Sequence, residues 1–106
     1  MRPDKLLSAV SLCRKAGRLV TGFDPVKESL QKGEAVLIFC AADLSPNTRK
    51  KVDRFCEEWE TAALTAPFTQ DELAQICVKR SGVFAVTDPG LANLVKTQLA
   101  AACKDQ

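Results

Sequence analysis

Residues Ala35-Val36-Leu37-Ile38-Phe39-Cys40-Ala41 are apolar at every position. A strand with one wet face alternates polar and apolar residues, whereas an unbroken apolar run reads as a strand covered by helices on both faces. This run therefore predicts the middle of a sheet and requires the rest of the chain to supply two layers of helix. Asp4 to Ala16 places Leu6, Ala9, Val10, Cys13 and Ala16 at helical spacing, with Gly17 just beyond. A short edge strand, Arg18 to Thr21, follows. A second helix runs from Asp24 to Lys32 with Val26 and Leu30 inward, Asp24 as its cap and Pro25 in its first turn.

Past the apolar run, Asp43 and Ser45 end the strand and cap a third helix that has Pro46 in first position. Val52, Phe55, Cys56 and Trp59 mark its inner face. A strand near Ala63 to Thr65 leads to Thr69-x-x-Glu72, a capping box ahead of Leu73, Ile76 and Cys77. The loop Val78 to Gly82 then enters a strand at Val83 to Val86. Asp88-Pro89 opens the last helix, with Leu91, Leu94, Val95 and Leu99 facing inward. This alternation predicts an α/β protein, a three-layer α/β/α sandwich with a mixed sheet of about four strands and about five helices. Its 106 residues make a single domain, residues 1–106.

Five cysteines, Cys13, Cys40, Cys56, Cys77 and Cys103, are odd in number, form no CxxC pair and have no His to join them at a metal. They read as reduced thiols filling the interior, and no metal site or cofactor is expected. Reduced thiols, the lack of a secretory apolar core at the N-terminus and the lack of any apolar run near the ~20 residues of a membrane span predict a cytoplasmic protein without membrane contact. Enzymatic signatures are missing too: without His the commonest general acid/base is gone, and no P-loop, GxGxxG or GxSxG is present. No catalytic residue is nominated, and the chain is expected not to be an enzyme.

The formal net charge of +2 does not advertise a nucleic-acid partner, so the distribution of charge carries that argument. In Arg14 to Gly33 the cations Arg14, Lys15, Arg18, Lys27 and Lys32 oppose only Asp24 and Glu28. A cationic turn feeding a helix N-terminus suits an anion, because the first amides there are unpaired. Arg49, Lys50, Lys51 and Arg54 crowd the first half of the third helix while Glu57, Glu58 and Glu60 follow, the reverse of what the helix dipole prefers. An anionic partner or a merely solvated face accounts for that order. Lys79-Arg80 is a third basic segment, and in a sandwich these three can converge on one end of the sheet.

Several segments together resemble the ribosomal protein seven-Ae and thirty-e family, and specifically its small stand-alone bacterial members. They are Leu12-Cys13-Arg14-Lys15-Ala16-Gly17-Arg18-Leu19-Val20-Thr21-Gly22, Lys32-Gly33 with the apolar strand after it, Ala42-Asp43-Leu44-Ser45-Pro46-Asn47-Thr48-Arg49-Lys50-Lys51, Glu72-Leu73, and Ala85-Val86-Thr87-Asp88-Pro89-Gly90-Leu91-Ala92. The resemblance implies an α/β/α sandwich that binds structured RNA, typically the kink-turn, a sharply bent duplex built on sheared G·A pairs, in a ribosomal or translational setting. It implies groove-reading positions at Gly22, Asp24, Pro25 and Lys27 or Glu28, and a pocket for the extruded nucleotide around Ser45, Arg49 and Gln70. A covering loop at Val78, Lys79, Arg80 and Ser81 completes the set, and Arg18 joins it from the basic stretch. Three positions depart from the family: Asp24-Pro25 stands where strong kink-turn binders carry Asn-Glu, and Glu28 where they carry Lys. These keep open a second reading, an interaction or assembly module on the same fold that has lost specific RNA recognition. Gly22, Asp24 and Ser45 also have structural readings, as a turn and two caps.

Overall fold

The computed structural model describes residues 4–61, 63–77 and 80–104. Along them the chain runs α1 (Asp4–Lys15), β1 (Leu19–Thr21), α2 (Phe23–Gln31), β2 (Leu37–Cys40), α3 (Pro46–Glu58), β3 (Ala63–Thr65), α4 (Gln70–Cys77), β4 (Val83–Val86) and α5 (Pro89–Lys104). The four strands form one sheet in the order β1-β4-β2-β3. β4 is antiparallel to both β1 and β2, while β3 lies parallel to β2.

Both inner strands are buried along their whole length, and their alternation shows why no polar residue interrupts the apolar run. Leu37, Phe39, Phe84 and Val86 point into one core with α1, α4 and α5, through Leu6, Val10, Leu73, Val95 and Leu99. Ile38, Cys40, Val83 and Ala85 point into the other with α2 and α3, through Val26, Leu30, Val52 and Phe55. The sheet is thus the middle layer of three. Phe39 pairs with Phe84 across the two central strands, their rings stacked with centroids 5.1 Å apart and planes 14° from parallel. Such a pair adds about 0.5–1.5 kcal/mol to its area burial.

Helix boundaries follow the sequence with three corrections. Val26 donates its N–H to the Gly22 carbonyl at 3.0 Å, so α2 starts from Gly22 as its cap and Asp24 lies inside the first turn. Trp59 is 46% exposed, because α3 ends at Glu58 and Trp59 is the residue that turns the chain out of the helix. On α5, Ala92 takes the inward position together with Val95 and Leu99, leaving Leu94 at the surface. The Thr69/Glu72 capping box forms as expected, with Thr69 N–H to Glu72 Oε1 at 3.0 Å and Glu72 N–H to Thr69 Oγ1 at 3.2 Å. Among the described residues no helix is long and apolar enough to cross a membrane.

Candidate nucleic-acid interface

Connections from all four strands meet at one end of the sheet. After β1, Gly22 donates its N–H to the Val83 carbonyl at 2.9 Å; after β2, Ala41 donates to the Gly82 carbonyl at 2.9 Å. Ala42 then donates to the Phe68 carbonyl at 2.7 Å, which brings in the segment after β3. Gly82, leading into β4, is wedged among these: a Cβ there would stand 2.5 Å from Leu44 Cδ1 and 3.2 Å from Gln70 Cδ. Because α2, α3 and α4 begin just past these connections, three helix N-termini share this end of the molecule.

The three are capped differently, and the difference locates the anion-ready terminus. At α3, Ser45 Oγ accepts from Thr48 N–H at 3.2 Å. At α4, Asp43 reaches across to accept from Gln70 N–H at 2.9 Å, in addition to the capping box. At α2 no side chain caps the first turn. Its first amides belong to Phe23 and Asp24, since Pro25 has none, and they carry the positive end of the helix dipole. Gly22 holds this start with φ 109° and ψ 152°, a conformation that a side chain would oppose.

Of the expected RNA positions, Gly22, Asp24, Ser45, Gln70, Arg80 and Ser81 are brought together here. Asp24 and Ser45 are exposed, and Gln70 is half-buried with its amide 3.5 Å from the Asp43 carbonyl. Arg80 is exposed and reaches Asp71, in the first turn of α4, at 2.7 Å. Ser81 Oγ stays within 3.4 Å of Val83. Lys27 lies one turn along α2 on its α3 side, beside Lys51 and Arg54. Val78 and Lys79 lie outside the described residues.

Two residues are placed elsewhere. Arg18 is at the opposite end of the sheet, where its carbonyl accepts from Thr87 N–H at 2.9 Å. The basic stretch from Arg14 to Gly33 is therefore divided: Arg14, Lys15 and Arg18 stand one strand length from Gly22, and Lys32 at the far end of α2 pairs with Glu28 at 2.9 Å. That hydrogen bond holds the Glu28 carboxyl below its ordinary value, and the pair is exposed, so it adds little stability. Arg49 turns back onto β3. Its guanidinium donates to Asp53 Oδ1 at 3.1 Å, to the Ala63 carbonyl at 2.9 Å and to Thr65 Oγ1.

Asp43, Gly82 and Asp71 were not expected at the interface from sequence. Asp43 and Gln70 are 27 residues apart and nothing local marks their hydrogen bond; Gly82 carries only a generic turn signal. Nucleophilic chemistry is poorly served. Cys13, Cys40 and Cys56 are buried free thiols, and burial pushes Cys40 and Cys56 up to about 11 and raises Cys13, keeping all three protonated at neutral pH. The side chains of Cys77 and Cys103 lie outside the described part of the chain.

Residues 4–96 match the model of the Ribosomal protein L7Ae/L30e/S12e/Gadd45 family. The chain is 30% identical over 92 residues to the RNA-binding protein YlxQ of Enterococcus faecium, covering 87% of this chain and 88% of that protein. To the RNA-binding protein YlxQ of Bacillus subtilis strain 168 it is 30% identical over 89 residues, covering 79% and 84%. Among solved structures, a Bacillus halodurans protein of unknown function superposes with a TM-score of 0.82 at 24% identity, over 91% of this chain and 97% of that one. A Giardia lamblia 15.5 kD RNA-binding protein superposes with a TM-score of 0.74 at 18% identity, over 94% and 86%. These last two likenesses are of fold.

Proposed function

The chain belongs to the ribosomal protein L7Ae/L30e/S12e/Gadd45 family, and from that membership we propose that it is a non-catalytic protein of the translation apparatus that binds structured RNA of the kink-turn type. The observation that carries this reading is the uncapped start of α2, set beside the loop before β4 and the starts of α3 and α4. RNA backbone approaching there meets the uncapped amides and positive dipole end of α2, with the Arg80 guanidinium held nearby by Asp71. Asp24 then accepts hydrogen bonds from a guanine edge, the one base edge in a sheared G·A pair with the donors a carboxylate needs. Pro25 leaves the second groove-reading position without a polar group. Glu28 does not oppose phosphate as a bare charge, because Lys32 is bonded to it. The names of the YlxQ relatives support RNA as the partner.

Replacing Asp24→Ala together with Arg80→Glu tests the placement. Both side chains are exposed, so the double variant should fold with an unchanged circular dichroism spectrum and bind a kink-turn duplex at least ~10-fold more weakly, the loss of one charge-assisted contact and one phosphate contact. Unchanged affinity in the folded variant would remove the RNA from this end of the sheet. The rival reading, an assembly module without specific RNA recognition, predicts that neither protein prefers the kink-turn and that a protein partner co-purifies after nuclease treatment.

A further inference from the structure

Three cations of the α2/α3 face are left over once the interface is described. Lys27 of α2 with Lys51 and Arg54 of α3 line a groove of about 270 Å³ whose other lining residues are Phe23, Phe55 and the single acid Glu58. Among the described residues none of the three cations is in an ion pair, whereas Arg49, the neighbour that begins the same basic run, is fully committed to Asp53 and β3. Lys51 and Arg54 stand one turn apart in the middle of α3, and Lys27 faces them from α2. Among the described residues no ion pair offsets their mutual repulsion across the groove. Phe23 is half-buried, meeting Phe55 edge to face with centroids 5.4 Å apart and planes at 72°. Phe23 is also the first residue of α2, so the groove opens directly beside Gly22 and Asp24.

We propose that this groove is a track for single-stranded RNA that leaves the structured element at the start of α2, with Lys27, Lys51 and Arg54 on its phosphates and Phe23 against an unstacked base. The inference rests on the RNA-binding reading above and extends its footprint. A phosphodiester strand fits the features together: three cations on the two walls of one groove answer its charge, and the Phe23 ring at the start of α2 answers its bases, since base–aromatic stacking is tolerant of sequence. A protein acid would use the cations and leave the ring without a role.

The test compares two RNAs, a blunt kink-turn duplex and the same duplex with an eight-uridine single-stranded extension, against the unaltered protein and Lys51→Glu/Arg54→Glu. Both substituted residues are exposed and outside the α2 start. The unaltered protein should bind the extended RNA roughly tenfold more tightly than the blunt one, with a steeper loss on adding salt. The double variant should lose that difference while keeping its affinity for the blunt duplex. A milder Lys51→Gln/Arg54→Gln variant should fall between the two. Equal binding of both RNAs by the unaltered protein would overturn the track and leave the kink-turn reading standing. Binding of neither would overturn both. Displacement of the extension by poly-glutamate as effectively as by oligouridine would overturn it in favour of an acidic protein partner.

Discussion

Gly22 joins the frame to the interface. Its carbonyl starts α2 and its N–H ties β1 to β4, and it does both at a φ of 109°, in a region that only glycine occupies without strain. Space is not the obstacle, for an added Cβ would meet only the Pro25 ring at ordinary contact, 3.4 Å away. Gly22→Ala should therefore lower the free energy of unfolding by about 1–3 kcal/mol through backbone strain alone, read as an earlier denaturant midpoint at unchanged slope. An unchanged midpoint would mean that the turn is relaxed. In the sequence this glycine was legible as a turn, and Ser45 as a cap. Asp24 was misread as a cap because a carboxylate before a first-turn proline has the right local chemistry; only the Val26-to-Gly22 hydrogen bond shows that the helix begins two residues earlier.

At the scale of elements, α3 shows how one basic run divides between structure and surface. β3 is an edge strand, with β2 on one side only, and an open edge invites pairing with another chain. Arg49 covers it, bonding the Ala63 carbonyl and Thr65 while Asp53 holds its guanidinium from one turn along the helix. Arg49→Ala should cost about 1–2 kcal/mol of stability through these charged hydrogen bonds, whereas Lys50→Ala, at an exposed position, should stay within about 0.5 kcal/mol. Equal effects in thermal unfolding would show that the β3 contacts contribute nothing. Sequence periodicity found the buried face of α3 and flagged the reversed charge order. It could not separate Arg49 from Lys51 and Arg54, since that depends on β3 lying beside one flank of the helix and α2 beside the other.

Across the whole molecule, the three layers were the most legible feature, because a strand apolar at every position admits few other solutions and Leu37 to Cys40 indeed divide between two cores. The gathering of basic segments was legible only in part. Register sets Thr21 opposite Phe84 and Leu19 opposite Val86, so residues two apart on β1 stand at opposite ends of the sheet. Arg18 and Gly22 are consequently separated, though they are neighbours in the sequence. What remains together is one end of the sheet bearing three helix starts, of which α2 alone lacks a side-chain cap. The most direct measurement of whether that end recognises RNA by shape is a titration against a kink-turn duplex and a control with Watson–Crick pairs in place of the sheared G·A pairs, at two salt concentrations. A preference for the kink-turn of ~10-fold or more, about 1.4 kcal/mol, held at both salts, is the result this account predicts. Equal binding to the two RNAs that collapses together as salt rises would contradict it, reducing the interface to unspecific attraction between cations and phosphate.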